Sequence, residues 1–210
     1  MNIYDIPIEE PASWIEKGVP QELKAQTHRF ESIEHLFANG GYWRQRDAWI
    51  SRYSFAIPTA EIIARLAQFK LLELVAGTGW WAALIKAAGG DIIATDKASP
   101  LTGSNYPQKI GSYVDLEQID ATSAVAKYPD RDLLIIWPCL NKRWSLNAIR
   151  ALSPGRTVIH IGEPGGCTAT GAFYEYLANN FDEAETHWLP NWNGIHDHLY
   201  IHQNKAQGAE

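Results

Sequence analysis

Three short stretches of the chain hold side chains whose types and spacing could do chemistry. The first is Glu73-Leu74-Val75-Ala76-Gly77-Thr78-Gly79, an acid and two glycines closing an apolar run, with Asp96 at the tip of the next apolar run. Gly77 and Gly79 allow a sharp turn and let a ligand approach the backbone closely. Asp96, roughly 20 residues beyond the turn, is placed to accept hydrogen bonds from the two hydroxyls of a ribose. The second stretch is Ile161-Gly162-Glu163-Pro164-Gly165-Gly166-Cys167-Thr168. Glu163 can accept a substrate proton or bind a cation there, while Pro164-Gly165 by itself suits a type II turn. The third is Asn191-Trp192-Asn193-Gly194-Ile195-His196-Asp197-His198, where His196 and Asp197 could supply a base or an oriented imidazole. His196 and His198 are expected to face apart, which counts against a metal site. A solvent-exposed or structurally bonded imidazole is the plainer alternative for each.

The elements that must position these residues alternate in type. Residues 71–75, 91–95, 114–119, 133–137 and 157–161 read as short apolar strands, and 80–88, 121–127, 143–152 and 171–180 as helices. Such alternation implies a parallel, doubly wound sheet. Residues 183–189 and 198–202 follow with no helix between them, which implies an antiparallel edge hairpin around a turn at 190–194. Upstream, Gly40-Gly41 ends a helix over 21–38, and Pro58-Thr59 starts another whose apolar face is Ile62, Ile63, Leu66 and Phe69. The expected architecture is α/β, a doubly wound, mostly parallel seven-stranded sheet with a C-terminal antiparallel edge hairpin and an N-terminal helical extension. Residues 1–57 form the extension or cap, 58–203 the Rossmann-like core and 204–210 a frayed tail.

The 210 residues, 46% hydrophobic and 20% charged, suit one domain with a substantial core. No apolar run approaches the roughly 18 residues of a membrane span. The acidic start lacks the basic flank of a secretory signal, so the cytoplasm is the expected compartment. A net charge of -6 would repel a phosphate backbone at long range, which disfavours a nucleic-acid acceptor without excluding one. Cys139 and Cys167, the only two cysteines, lack metal-ligand spacing and are expected to be buried, inert thiols. Of nine tryptophans, Trp80, Trp81, Trp137, Trp188 and Trp192 fall at strand ends, where their rings could line a pocket or pack the core.

The run from Glu73 to Asp96 resembles the first signature motif of class I S-adenosylmethionine-dependent methyltransferases, and the order of elements over about 55–203 is similar to theirs. The resemblance implies methyl transfer from S-adenosylmethionine to an unidentified acceptor, a small molecule or a macromolecular amine. It implies that the turn from Glu73, with Ala76, Gly77, Gly79 and Trp81, holds the methionine part of the cofactor. Asp96 would hold the ribose, and Asp120 with Ala121 the adenine amino group. At the fourth strand end, Trp137-Pro138-Cys139-Leu140 stands where amino-methylating members carry Asp or Asn, two prolines and an aromatic. Trp137 is grouped with the cofactor contacts, and Tyr53, Pro138 and Cys139 with the acceptor contacts. Glu163 and His196 are the candidate catalytic residues, although an activated sulfonium donor needs little acid–base assistance.

Val75 stands where the family usually has glycine. Valine does not readily take positive φ, so the turn is expected to differ or the cofactor to sit further out. This motivates an alternative, a non-catalytic Rossmann-like binding protein with lost or weakened cofactor use. A third reading is an NAD(P)-dependent enzyme, because Gly77-x-Gly79-x-x-Ala82 fits the loose dinucleotide fingerprint. Against it, the rings of Trp80 and Trp81 are expected to obstruct a pyrophosphate at the helix N-terminus. Tyr53, Phe55 and Pro58 are placed to touch the cofactor, and Arg44, Arg46 and Arg52 to bind an anion or to pair with Asp47.

Overall fold

A computed structural model describes residues 46, 49–98, 112–192 and 194–205. The expected helix over 21–38, Arg44, Asp47, the loop 99–111 and the tail beyond 205 lie outside the described residues.

The unbroken apolar runs become strands covered on both faces, as central parallel strands require. They are β1 (Lys70–Leu74), β4 (Asp132–Ile136) and β5 (Thr157–Gly162), joined by β2 (Asp91–Asp96) and β3 (Leu116–Gln118). Successive side chains alternate between faces. Leu71, Leu134, Ile159 and Ile161 pack on one side with α1 (Ala60–Leu66) and α2 (Trp80–Ala87). Leu72, Leu74, Leu133, Ile135 and Val158 pack on the other with α3 (Ala121–Lys127), α4 (Trp144–Arg150) and α5 (Gly171–Asn180). Polar residues start three of these helices: the side chains of Thr59, Asp120 and Thr170 each accept a hydrogen bond from a first-turn amide.

The sheet order is β3-β2-β1-β4-β5-β7-β6. β6 (Phe181–Trp188) and β7 (His198–Asn204) form the expected antiparallel hairpin, with β7 inserted antiparallel beside β5. Arg65 of α1 ties this edge to the core by bonding both Glu185 oxygens at 3.0 and 2.5 Å. The chain runs outward from β1 to β3, then returns to β4 on the other side. That reversal opens a crevice at the carboxyl ends of β1 and β4. Residues 46 and 49–52 are helical, and Trp49, Tyr53, Ala56 and Ile57 are buried in the α1–α2 side of the core.

Three local expectations are corrected. Val75 and Trp137, read as strand residues, lie just past β1 and β4 with φ of +56° and +48°, where the chain leaves the sheet. β3 is shorter than expected because Val114 packs against the backbone of Gly79 instead of extending the strand. The segment between β6 and β7 is longer than a tight turn, and His196 lies in it, ahead of β7.

Candidate cofactor and acceptor sites

The turn after β1 is built from left-handed residues: φ is +56° at Val75, +59° at Gly77 and +71° at Gly79. Valine was expected to change this turn; instead its backbone adopts the conformation that glycine takes freely. The left-handed region costs an L-residue about 1–2 kcal/mol, so the site carries strain at the strand tip. The turn is closed by Ala76 N–H to the Thr95 carbonyl at 3.0 Å and Gly79 N–H to the Ala76 carbonyl at 2.9 Å. At Gly79 a Cβ would lie 2.7 Å from the Val114 side chain, so only glycine fits there.

Asp96 joins this turn to the end of β2. One carboxylate oxygen accepts from the Gly77 amide at 3.0 Å and the other from the Ala98 amide at 2.9 Å. Burial raises its pKa, and the backbone donors act against that rise. Beneath the turn, Glu73 is 2% exposed and pushed up to about 8, first by burial, with the Ala82 amide opposing and Asp96 adding to the rise. Its Oε2 has no hydrogen-bond partner among the described residues.

Asp120 has a role that its sequence position did not reveal. Its Oδ1 accepts from the Thr122 and Ser123 amides, each at 3.1 Å, and its Oδ2 from the Ser123 hydroxyl at 2.6 Å. These bonds, the Ser123 hydroxyl first, hold its pKa below the usual carboxylate range. It therefore caps α3 while remaining exposed beside Ala121. An Ile119 N–H bond to the Asp96 carbonyl at 3.2 Å keeps the β2 and β3 tips together.

A second group gathers at the tips of β4, β5 and β7. Trp137 stacks on Phe55 at 5.1 Å, lies 5.3 Å from the Arg46 guanidinium and donates its indole N–H to Asp197 Oδ2 at 2.8 Å. Asp197 is 1% exposed. It is pushed up to about 7, first by burial, with the Trp137 bond opposing and nearby Glu163 adding to the rise. Asn191 brackets it through two backbone bonds of 2.6 and 3.1 Å, and its Oδ1 has no partner among the described residues.

Glu163 and His196, separated by 33 residues, are in contact. Glu163 Oε1 accepts from the His196 backbone N–H at 3.1 Å and pairs with His196 Nδ1 at 2.9 Å, while Oε2 accepts from the Cys167 amide at 3.2 Å. Thr168 secures the Glu163 backbone from both sides, accepting from its N–H at 2.9 Å and donating to its carbonyl at 3.1 Å. A cavity of about 390 Å³ opens here, lined by Glu163, Gly165, Gly166, His196, His198 and Tyr200. His196 and His198 thus face one space, as residues two apart on an extended chain do, which corrects the expectation that they face apart. No group of three metal-ligating side chains occurs among the described residues.

Other sequence candidates are placed differently. The rings of Tyr53, Trp80 and Trp81 are buried in the core, so neither tryptophan ring stands in front of α2 to obstruct an anion. What separates this fold from a dinucleotide fold is the antiparallel β7 between β5 and β6. Pro138 is buried, with its carbonyl accepting from Ala169 N–H at 2.7 Å. Both cysteines are exposed, contrary to the expected burial, and a bridge between Cys139 and Thr168 brings their loops side by side. The sequence offers Asp197, with His196, as a base or an orienting group; its enclosure and the Asn191 bracket are not legible there.

No family profile and no curated protein sequence matches the chain. Among solved structures, it is similar to TrmN from Thermus thermophilus at 16% identity and a TM-score of 0.45, covering 70% of this chain and 49% of that one. A SAM-dependent methyltransferase from Archaeoglobus fulgidus matches at 10% identity and 0.47, covering 82% and 100%. Magnesium protoporphyrin IX methyltransferase from Synechocystis, solved with bound SAM, matches at 10% and 0.46, covering 96% and 100%. The chain spans about half the length of TrmN and of the Streptococcus mutans putative methyltransferase that it also matches. The fold is that of class I methyltransferases, and the strand order, rather than any of these distant pairings, carries that assignment.

Proposed function

We propose that the chain binds S-adenosylmethionine across the carboxyl ends of β1, β2 and β3 and transfers its methyl group to an acceptor over the tips of β4, β5 and β7. The observation that carries this reading is the junction of Asp96 with the Gly77 amide. It fixes an acid at the second strand tip against a left-handed, glycine-bearing turn, beside the point where the sheet order reverses. Asp96 is held by the backbone amides of Gly77, Ala98 and Lys97, and in this reading its remaining acceptor capacity takes the ribose hydroxyls. The backbone of Ala76, Gly77 and Gly79 borders the space for the methionine arm, over buried Glu73 with its unpartnered oxygen. Asp120 and Ala121 offer an exposed carboxylate and an amide for an adenine.

When bound, the cofactor supplies a methyl group already activated on a sulfonium. The residues at the acceptor side orient and desolvate. Trp137, held by Asp197, stacked on Phe55 and covered by the Arg46 guanidinium, is a fixed aromatic wall of the acceptor side in this reading. Residues preceding Pro58 act as the cap in this reading, since Phe55 closes over Trp137. No helix among the described residues is long and apolar enough to cross a membrane.

Calorimetry with S-adenosylmethionine and S-adenosylhomocysteine tests the proposal. Binding is expected for the wild type and at least a 100-fold loss for Asp96→Ala, about 3 kcal/mol. A wild type that binds neither would move the non-catalytic reading to the front, with strained Val75 as its motif.

A further inference from the structure

We infer that Glu163 and His196 form an oriented acid–imidazole pair whose Nε2 takes the proton of a phenol-class acceptor; this rests on the methyl-transfer reading above. Glu163 is buried, and its two carboxylate oxygens accept from the backbone amides of His196 and Cys167. Its Oε1 already takes the His196 backbone N–H, and its 2.9 Å contact with Nδ1 requires the imidazole proton to reside on Nδ1. The other nitrogen, Nε2, is left with its lone pair on a side chain that is 74% exposed at the mouth of the 390 Å³ cavity. The anchor is rigid, because Cys167 N–H and Thr168 fix both the carboxylate and the backbone of Glu163.

The placement suits an acceptor that reaches the methyl donor. Strand tips are spaced at about 4.8 Å, so the β7 tip lies roughly 14 Å, three strand spacings, from the β1 turn. That span is to be bridged by the cofactor arm, the acceptor oxygen and the His196 side chain, because the oxygen that takes the methyl group is the one that gives its proton to Nε2; of the two tips between, that of β4 carries Trp137. The cavity volume falls within the ordinary range for small-molecule sites.

The chemistry selects the acceptor class. A free amine attacks with its own lone pair and needs no base beforehand. A phenol is acidic enough to pass its proton to an imidazole in step with attack. An aliphatic hydroxyl, closer to water at about 15.7, is out of reach. In the step, the phenol oxygen forms the new bond to the methyl carbon and gives its proton to Nε2. The carbon–sulfur bond of the donor breaks with its electron pair returning to sulfur, leaving a neutral thioether, an aryl methyl ether and an imidazolium. Glu163 faces that imidazolium and stabilises it as a positioning residue. Among the described residues, Asp197, Cys167, Tyr174, Arg46, His198 and Tyr200 are titratable or charged groups around the pair.

The imidazole 15N spectrum of the full chain tests the geometry independently of turnover. Wild-type His196, assigned with His196→Gln, should be the Nδ1–H tautomer when neutral, and Glu163→Gln should shift it towards Nε2–H. A wild-type His196 protonated on Nε2 would overturn the inference. With the protein saturated in S-adenosylhomocysteine, 4-nitrophenol supplied below its own ionisation pH should move the His196 resonances and show a phenolate band. His196→Gln should lose that band and Glu163→Gln should weaken it. A 4-nitrophenol that leaves His196 unperturbed, or an undiminished band in His196→Gln, would also overturn it. Calorimetry separates the two levels: cofactor binding with a failed tautomer test rejects this inference alone, whereas absent cofactor binding rejects the reading beneath it.

Discussion

Asp96 and Asp197, one acid from each half of the crevice, are compensated in opposite ways. On the β1–β2 side, both Asp96 oxygens are bonded to main-chain amides, so its charge is compensated by groups that cannot move away. On the β4–β5–β7 side, Asp197 is nearly sealed from solvent yet has one indole donor and one oxygen without a partner. The first arrangement fixes a backbone shape that a nucleoside can be read against. The second holds a polarisable, partly compensated cluster under an aromatic platform, where an acceptor's changing charge would be felt.

The largest expected effect that sharpens the contrast is pH-dependent stability. The folded chain keeps a proton on Glu73 up to about 8 and on Asp197 up to about 7, while their unperturbed values are 4.5 and 3.8. The folded state therefore binds more protons than the unfolded state inside those windows. Stability falls as pH rises through them, by up to about 4 kcal/mol per group. His160, buried and pushed down to about 3 from 6.5, gives the opposite slope, losing stability as pH falls below 6.5. Above that value the two acids dominate, so urea midpoints should decline from pH 6.5 to about 8. Glu73→Gln should flatten the upper part of the decline and Asp197→Asn the lower. A midpoint that is flat across the window would show both carboxyls to be compensated like Asp96 and erase the distinction.

Removing the indole donor comes next. Trp137→Phe leaves the Asp197 oxygen buried without its bond, at a cost of about 2 kcal/mol in urea unfolding. Asp197→Asn should cost less, because it keeps an acceptor while removing the burden of a buried ionisable group. If the two variants lose equal stability, packing rather than the acid governs this side. The smallest effect concerns the cofactor turn. Val75→Gly relieves about 1–2 kcal/mol of left-handed strain but adds about 0.5–1 kcal/mol of chain entropy, for a net gain under about 1 kcal/mol. Thermal unfolding would read the gain, and cofactor affinity should tighten a few-fold as the isopropyl group leaves the strand tip. Weaker cofactor binding by this variant would mean that the valine side chain contacts the ligand.

Much of the first half was legible in the sequence because it is local. The apolar runs, the Glu73-to-Gly79 turn and Asp96 follow one another within a single β–α–β unit, and their spacing carries the geometry. The left-handed φ of Val75 was not legible, since the residue type argues against it and only the closure of the turn onto Thr95 and Asp96 imposes it. The second half depends on a non-local fact. Glu163 meets His196 because β7 inserts beside β5, and no spacing along the chain says which strand is β5's neighbour. Both residues stood out by type, but their pairing did not. The same limit applies to Tyr53 and Trp81, whose rings the sequence placed at the site and the packing of the residues before Pro58 draws into the core.

The central claim is that the turn after β1 and Asp96 form a working S-adenosylmethionine site, and calorimetric titration of the full chain tests it most directly. The account predicts binding of S-adenosylmethionine and S-adenosylhomocysteine by the wild type and a loss of at least about 100-fold in a folded Asp96→Ala variant. Equal affinity in the two proteins, or no binding by a folded wild type, would contradict it.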